Sequence, residues 1–527
     1  MATLSAVHLA SATLVNVSPE AIRLNIPSTT TGSSFPHSPS FASFSFEPAF
    51  WVKFFGNATS PNPLTFELLS RITERGGSPI IRPGGITMDS MIFDPSAGDL
   101  VRTTNAAGGV YRTTVGPAYY QSWSNFPYGT KFVSTLNFGN NSLDVARDMA
   151  VASQWKQWTA AIDLAVNQES SSAAKQYGNY RWWASSATTD VTGLNIRPAD
   201  LIPAGIDSAN RVAEYSIHSY AFATCDPARA ALATIPNILN HTELTRYADE
   251  EIVPSAQAAL DSGKPWVIGE FNSIACSGNP NVSDTFAQAL WTVDVELIYA
   301  VRNASSVHLH QGATLAFQSN NQVNTLGADR TPGFSTYDIL YPKDSSLRGK
   351  ARALPGFVSQ LFMAEAFATP GTQVSALEKP EGVDRDYFST YAFYVGDNLS
   401  KLAIVNSKPY HANATQDYTV SFGISKHVYE RKKAWSKRMI APHVEEKDTA
   451  AVTWASQSYE QGLPVGGLGI ERVERDAIVH IRGSEAVLVF FDRAEVYGAA
   501  EHQRPGDKGG WWHHWNGLPI HGKKTGY

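Results

Sequence analysis

Residues 264–272 have the sequence Lys-Pro-Trp-Val-Ile-Gly-Glu-Phe-Asn, an apolar run that ends on a carboxylate and passes into a polar loop. Parallel strands buried on both faces consist of such short hydrophobic runs, and barrel enzymes carry their chemistry where these strands end. The pattern therefore predicts that Glu270 lies at the C-terminal tip of a barrel strand. Two interpretations of Glu270 stay open here: a catalytic carboxylate, or a structural glutamate at a strand end.

Six other runs have a similar strand-like pattern, and helical patterns separate them. The seven predicted strands are Ser43–Glu47, Ser78–Arg82, Lys131–Asn137, Arg181–Ala187, Glu214–Tyr220, Pro265–Glu270 and Ser305–His310. Strands that alternate with helices indicate parallel pairing through helical crossovers. We therefore predict an α/β fold with a (β/α)8-type TIM barrel over residues 41–352. A closed barrel of this type has eight strands, so one strand is expected to be missing.

The missing strand is predicted to fall near Ala150–Ser153. From Ser142 to Gly178, apolar residues recur at helical spacing almost without interruption. This spacing fits one long helix, or two helices fused where a strand would otherwise intervene.

The pattern changes from about Ala353 onward to short, alternating segments separated by turn residues. The predicted strands there are Tyr387–Val395, Leu402–Val405, Tyr418–Phe422, Ala450–Trp454, Ala477–Ile481 and Ala486–Phe491. We predict an antiparallel β-sandwich over residues 353–499, joined by strands from residues 1–40. The basic run Lys426–Arg438 is predicted to be a solvated loop or an edge strand. Residues 500–527 are predicted to be a disordered tail.

The composition is that of a globular protein that acts on small soluble ligands. Of the 527 residues, 43% are hydrophobic and 17% are charged, and the net charge is -6. This charge gives no general attraction to nucleic acid or to anionic membranes, so neither is expected as a partner. No Cys/His spacing suggests a metal site, no cofactor is expected, and a monomer is predicted.

Secretion is predicted from sequons rather than from a leader. Asn-x-Ser/Thr sequons suit a secreted glycoprotein, although the first lysine or arginine is Arg23, so the positive region of a signal peptide is missing.

Cys225 and Cys276 each follow a predicted strand end by a few residues. If those strands are neighbours, a disulfide can join the two loops; two buried thiols are the alternative.

A carboxylate at a strand tip with aromatic residues around it suggests sugar chemistry, in which two carboxylates flank the scissile bond. Six segments carry a specific resemblance, namely residues 40–47, 81–89, 215–220, 266–273, 282–291 and 484–491. They resemble fungal members of glycoside hydrolase family 79, which contains β-glucuronidases and heparanases. The resemblance implies a retaining mechanism and a glucuronic-acid-containing glycan as substrate.

The resemblance also implies roles for individual residues. Glu270 matches the nucleophile, and Tyr220 is expected to orient it through a hydroxyl hydrogen bond, with a core tyrosine as the alternative. His218 either supports the same corner or is a satisfied core histidine. Glu47 matches a residue that accepts hydrogen bonds from sugar hydroxyls; a rim carboxylate facing water is the alternative.

The donors that would hold a uronic acid carboxylate map onto His310, Gly312 and Tyr337. Glucuronidases of the family have tyrosine where this chain has His310, and only a protonated histidine is a good carboxylate clamp, so the sugar specificity stays open. Arg82 and Asp89 flank a Gly-Gly turn and are interpreted mainly as an ion pair that shapes the second loop.

The acid/base residue of the family is the larger departure. Family members carry Gly-Asn-Glu-Pro at the tip of the fourth strand, and no Gly-Asn-Glu occurs in this sequence. The nearest substitute, Glu169, is interpreted as a helix-surface residue. We therefore predict a retaining hydrolase of β-glucuronides that lacks its acid/base. A catalytically inactive glycan-binding relative is the alternative, and a barrel that no longer closes is a third hypothesis.

Overall fold

The computed structural model describes residues 22–27, 29–30, 32–98, 101–105, 111–135, 182–188, 197–208, 210, 212–313, 334–346, 348–423, 433–473 and 478–497. Within these ranges no helix is both long and apolar enough to cross a membrane. The same ranges contain no group of three or more His, Cys, Asp or Glu side chains arranged to hold a metal ion.

A curled parallel sheet forms the centre of the N-terminal half. Its strands are β1 (Ala42–Phe46), β2 (Ile81–Pro83), β3 (Trp182–Thr188), β4 (Val212–Ser219), β5 (Trp266–Phe271) and β6 (Ala304–Gln311). Their order is β2-β1-β6-β5-β4-β3. Residues 131–135 run beside β2, because the Ile81 N–H donates to Lys131 O and the Val133 N–H donates to Ile81 O. The predicted α/β fold with a barrel-like parallel sheet is confirmed.

The sheet is open between residues 131–135 and β3 in the part of the chain that the structure describes. The residues that connect these two edges, 136–181, lie outside that part. They include Glu169 and the segment near Ala150–Ser153 where a strand was predicted to be missing. The loss of an eighth strand therefore stays a prediction.

Two long helices cover the outside of this sheet. Helix α1 (Pro63–Thr73) begins at Asn62, whose side chain accepts hydrogen bonds from the N–H groups of the first turn, and proline occupies the first helical position. Helix α2 (Phe286–Val301) is buried along nearly its whole length. It packs against β6 on one side and against helix α3 (Phe357–Ala366) on another, which explains its hydrophobic character all round.

The C-terminal half forms a seven-stranded antiparallel sheet. Its strands are β7 (Thr372–Ala376), β8 (Phe388–Val395), β9 (Asn398–Asn406), β10 (Ala434–Ile440), β11 (Thr453–Trp454), β12 (Glu471–Val473) and β13 (Glu485–Phe490). The order is β7-β8-β9-β13-β10-β11, with β12 also paired to β10. A smaller sheet combines Ile22–Arg23, Val420–Gly423 and Ile478–Ile481.

The seven-stranded sheet is apolar on both faces because it packs on two cores. Tyr391 and Phe393 of β8 belong to the core shared with the barrel half, whereas Ala392 and Tyr394 belong to the core shared with the smaller sheet. Successive side chains of a strand point to opposite faces, so this alternation follows from the strand geometry. The predicted antiparallel β-domain is confirmed.

The interpretation of the basic run as a loop or edge strand was wrong for its described part, residues 433–438. Strand β10 begins within this run and lies inside the sheet, between β13 on one side and β11 and β12 on the other. Lys437 is 5% exposed, and its Nζ lies 2.7 Å from Glu365 Oε2. A buried partner neutralises the charge that was expected to face water.

Smaller elements complete the described chain. A three-stranded sheet of Met91–Phe93, Val101–Asn105 and Tyr111–Val115 follows β2. Shorter helices are Trp51–Phe55, Pro117–Gln121, Pro198–Leu201, Pro227–Leu232, Ile235–Ile238, His241–Tyr247, Val253–Asp261 and Arg493–Tyr497.

Candidate active site

The strand register brings the candidate residues together at the carboxyl ends of the parallel strands. Arg82 on β2 is level with Ser45 on β1, and Ser45 is level with His310 on β6. On the other side of the sheet, His218 on β4 is level with Glu270 on β5. Residues level with each other on neighbouring strands project to the same face, so these side chains converge inside the curled sheet.

Glu270 is buried and has a fixed donor for each carboxylate oxygen. The Tyr220 hydroxyl donates to Oε1 at 2.9 Å, and Arg82 Nη1 donates to Oε2 at 3.0 Å. The contact to Tyr220 is the one that the family resemblance implied. Burial alone would raise the pKa of Glu270, but His310 and the guanidinium of Arg82 hold it far below its usual range. The geometry therefore presents an ionised, oriented carboxylate.

His218 lies beside Glu270 without carrying a charge of its own. Burial lowers the pKa of His218 to about 3, so its ring is neutral at ordinary pH. Its Nδ1 is 3.9 Å from Glu270 Oε2, and its Nε2 has no hydrogen-bond partner among the described residues. The permanent positive charge next to Glu270 is consequently that of Arg82.

Glu47 follows β1 and is 4% exposed, so the alternative of a rim carboxylate facing water was wrong. Its Oε1 accepts hydrogen bonds from the Thr87 N–H at 2.8 Å and from the Thr87 hydroxyl. Gly85 has φ 145°, and a Cβ built there would lie 2.4 Å from Glu47 Oε2. The second loop therefore wraps closely around this carboxylate and requires glycine at that point.

His310 lies between the two glutamates. Its Nε2 is 3.6 Å from Glu47 Oε2, and its Nδ1 is 3.8 Å from Glu270 Oε2 and 3.2 Å from the Ser45 hydroxyl. Burial alone would lower the pKa of His310, but the two carboxylates raise it above its ordinary value. The two carboxylates therefore favour the protonated form of the ring.

The other two residues predicted to hold a uronate behave differently. The Gly312 N–H donates to Asp338 Oδ1 at 2.9 Å, so this amide already has an acceptor within the protein. Asp338 was not foreseen from the sequence; it is buried, and burial raises its pKa strongly. Tyr337 is 5% exposed and its ring centroid is 6.3 Å from that of His310. Burial raises the pKa of Tyr337, so its hydroxyl keeps its proton.

Comparisons with known proteins find similarity to glycoside hydrolases. Residues 390–488 match the glycosyl hydrolase family 79 C-terminal beta domain. A β-glucuronidase from Aspergillus niger is 26% identical over 500 residues, which cover 81% of this chain and 84% of the relative. A β-glucuronidase from Neurospora crassa is 23% identical over 444 residues, covering 73% and 75%. Residues 390–488 are thus a family 79 C-terminal β-domain, and the chain as a whole is similar to β-glucuronidases.

Solved structures show the same fold. A 4-O-α-L-rhamnosyl-β-D-glucuronidase from Fusarium oxysporum, solved with Rha-GlcA, has a TM-score of 0.66 and 20% identity, and the match covers 89% of this chain and 100% of that chain. A family 51 α-L-arabinofuranosidase from Bifidobacterium longum has a TM-score of 0.56 and 13% identity, with coverage of 89% and 98%. The chain thus shares a fold that combines a parallel barrel-like sheet and a β-domain with these glycosidases.

Sequence reasoning missed the contact between Arg82 and Glu270. Arg82 was expected mainly to pair with Asp89, whose side chain lies outside the described residues. In the structure Arg82 Nη1 donates both to Glu270 and to the Ser45 hydroxyl, at 3.0 and 2.9 Å. The signal that could have found it is positional: Arg82 ends the second predicted strand, Ser78–Arg82, and side chains at the carboxyl ends of barrel strands converge on the site.

A disulfide joins Cys225 and Cys276, with their Cα atoms 5.9 Å apart. The two loops that contain them run together, because Phe222–Ala223 pairs in parallel with Ile274–Ala275 just beyond β4 and β5. The cysteines therefore link the loop after Tyr220 to the loop after Glu270, at the mouth of the candidate site.

Proposed function

We propose that this chain is a retaining glycoside hydrolase of β-glucuronides, with Glu270 as its nucleophile. The observation that carries the proposal is the state of Glu270: a buried, ionised carboxylate at a strand tip, held by Tyr220 and Arg82. Similarity to two β-glucuronidases supports the choice of sugar.

Glu270 acts by attacking the anomeric carbon of the glycoside. The carbon–oxygen bond to the leaving group breaks with its electron pair, and a covalent glycosyl-enzyme forms that water later hydrolyses. Tyr220 and Arg82 each fix one carboxylate oxygen, so the nucleophile keeps one orientation while its charge is transferred to the new bond.

The proposal includes the loss of the family acid/base, since Gly-Asn-Glu is absent from the sequence. A positioned acid contributes roughly a hundred- to ten-thousandfold to such a reaction. The leaving group here departs without that help, so turnover is confined to glucuronides whose leaving group is stable as an anion. Aryl glucuronides fit this requirement, and alkyl glucuronides do not.

The test is hydrolysis of 2,4-dinitrophenyl and methyl β-D-glucuronide by the wild-type chain and by Glu270→Gln. We expect turnover of the aryl substrate alone, its loss in the variant, and a first product with retained β-configuration by NMR. Glu243→Gln, at an exposed glutamate, is the control and should retain full activity. Inverted product, or aryl hydrolysis unaffected by Glu270→Gln, contradicts the proposal.

The missing acid/base also favours a second candidate, a catalytically inactive relative that binds acidic glycans. It predicts glucuronide binding by calorimetry without turnover of any aryl glucuronide. Hydrolysis of the dinitrophenyl substrate that depends on Glu270 excludes this candidate.

We also propose that the protein is secreted. Disulfides persist in oxidising compartments, and Cys225 and Cys276 form one. The sequons at Asn57, Asn240 and Asn281 are further support. Mass spectrometry of the protein from a fungal culture medium tests this, and recovery of an unglycosylated chain from the cytosol alone contradicts it.

A further inference from the structure

Both ring nitrogens of His310 face groups of the protein itself. Nδ1 is 3.2 Å from the Ser45 hydroxyl and 3.8 Å from Glu270 Oε2, and Nε2 is 3.6 Å from Glu47 Oε2. The residue is 5% exposed. A histidine that clamps a substrate needs an N–H directed at the ligand, and here each nitrogen is already next to an internal oxygen.

The hydrogen bonds of Ser45 decide how the proton on Nδ1 is used. The Ser45 hydroxyl accepts from Arg82 Nη1 at 2.9 Å and lies 3.3 Å from Gly84 O, to which it donates. With its one proton directed at Gly84 O, the hydroxyl can only accept from His310, and Nδ1 is then the donor. In a neutral ring with this tautomer, the bare lone pair of Nε2 would face the Glu47 carboxylate. A second proton on Nε2 converts this repulsion into an ion pair.

The charge balance of the site also favours a protonated His310. The groups around His310 come from every neighbouring element: Glu47 after β1, Arg82 on β2, His218 on β4, Glu270 on β5, His308 on β6 and Tyr337 in the following loop. Burial keeps His218, His308 and Tyr337 uncharged. Arg82 is paired with Glu270, and His310 lies next to both Glu47 and Glu270, so a proton on His310 removes the excess negative charge.

We propose that His310 is a positioning residue, an imidazolium that bridges Glu47 and Glu270 from neighbouring strands and does not take the carboxylate of the substrate. The proposal rests on the proposed function and deepens it. In it, the positive charge of His310 pairs with the nucleophile, Glu270, and with the sugar-binding Glu47. Recognition of a uronate then depends on other donors of the site.

The direct test is NMR titration of the chain labelled with 15N in its histidines, with His310 assigned by the signal lost in His310→Asn. We expect the His310 ring to remain an imidazolium well above pH 6.5, the ordinary midpoint of histidine. Glu47→Gln and Glu270→Gln should each lower its midpoint by about one pH unit or more. Glu445→Gln, which removes a surface carboxylate from beside His411, is the matched control and should leave the His310 signal unchanged.

A His310 ring that titrates at or below pH 6.5, or a midpoint insensitive to both glutamate variants, overturns the proposal. If Glu47→Gln does not fold, Glu270→Gln carries the test by itself. The titration needs no turnover, so it remains decisive even if the chain hydrolyses nothing and the proposed function fails.

Kinetics separate a bridge from a clamp when aryl glucuronide and aryl glucoside with the same leaving group are compared. If His310 is a bridge, His310→Asn moves the acidic limb of the kcat/KM profile up by about one pH unit, because the pKa of Glu270 rises. The variant then lowers kcat/KM for the glucuronide and for the glucoside by the same factor. For a clamp, the limb stays in place and the preference for glucuronide over glucoside falls by about tenfold or more. The second result contradicts the proposal.

Discussion

Two clusters of buried charge in this molecule have opposite balances. In the candidate active site, His310 lies between two carboxylates, those of Glu47 and Glu270, and the guanidinium of Arg82 pairs with Glu270. At the boundary between the two halves of the chain, the single carboxylate of Glu365 contacts two cations. Lys437 Nζ is 2.7 Å and Arg75 Nε is 3.4 Å from its oxygens.

This difference separates a structural cluster from a functional one. Lysine and arginine keep their charges at neutral pH, so the cluster around Glu365 does not change with ordinary conditions. The Trp454 indole N–H also donates to Glu365 at 3.0 Å, and the donors come from distant parts of the chain. In the active site, by contrast, one proton on His310 sets the balance, and the site can therefore respond to pH and to ligands.

The largest expected effect follows removal of Arg82. In Arg82→Gln the buried carboxylate of Glu270 loses its permanent counter-ion, so we expect kcat/KM for an aryl glucuronide to fall by about a hundredfold and the unfolding free energy by about 3 kcal/mol. The acidic limb of the pH profile should rise, since the cation that lowers the pKa of Glu270 is gone. Urea unfolding and pH–rate profiles check this. The exposed Arg246→Gln is the control, and equal effects of the two variants contradict the comparison.

The boundary cluster should show loss of stability without loss of chemistry. Lys437→Met leaves Glu365 with less compensation in a buried place, and we expect the unfolding free energy to fall by about 3 kcal/mol. The kcat/KM of the folded fraction should not change. Urea unfolding and initial rates at 25 °C measure both quantities. Lys350→Met, which breaks an exposed ion pair, should leave stability unchanged; a similar loss in both lysine variants argues against the assigned role.

Glu296 is a further buried carboxyl group. Among the described residues, no cation lies within 4 Å of it. Burial raises its pKa to about 8, from about 4.5 in the unfolded chain. The folded state holds this proton more tightly, so its contribution to stability is complete below pH 4.5 and is lost as the pH rises through 8.

Glu296→Gln should therefore stabilise the protein at pH 8 by on the order of 4 kcal/mol relative to wild type, and have little effect at pH 4.5. Glutamine keeps an oxygen for the Gln360 side-chain N–H, which lies 3.0 Å from Glu296 Oε1. Urea unfolding at the two pH values is the measurement. Stability curves that stay parallel from pH 4.5 to 8 would show that Glu296 does not titrate as described.

The smallest expected effects come from two tyrosine hydroxyls. Tyr220→Phe removes the donor to Glu270 and should lower kcat/KM roughly tenfold, with little change in stability. Tyr391→Phe removes the donor to Asp294 at 3.1 Å, at the boundary of the two halves. It should lower the unfolding free energy by about 1 kcal/mol and leave kcat/KM unchanged. Initial rates and urea unfolding of both variants measure these effects. A loss of activity in Tyr391→Phe together with a loss of stability in Tyr220→Phe would contradict the division into two clusters.

The parallel strands could be predicted from the sequence because both of their faces are buried. The run predicted at Pro265–Glu270 is observed at Trp266–Phe271, and the run predicted at Glu214–Tyr220 is observed at Val212–Ser219. A continuous apolar segment needs no knowledge of its neighbours to be identified. Strand β10 was missed for the converse reason: the partner of Lys437 lies 72 residues away, and nothing in the local pattern reveals it.

The candidate site was predictable in its residues but not in its connections. Glu270 and Tyr220 follow from strand ends and family motifs, whereas the bond between Arg82 and Glu270 joins residues 188 positions apart. The occupation of the Gly312 amide by Asp338 also depends on how a loop folds back. Such contacts are set by register and loop conformation, which a single sequence does not specify.

The disulfide between Cys225 and Cys276 has a consequence for sugar binding. It ties the loop after Tyr220 to the loop after Glu270, so the freedom of both loops is restricted when the chain folds. The two loops are therefore already ordered before a glycan binds in the cleft. The entropy of ordering those loops is absent from the binding equilibrium, and affinity is gained without any added contact.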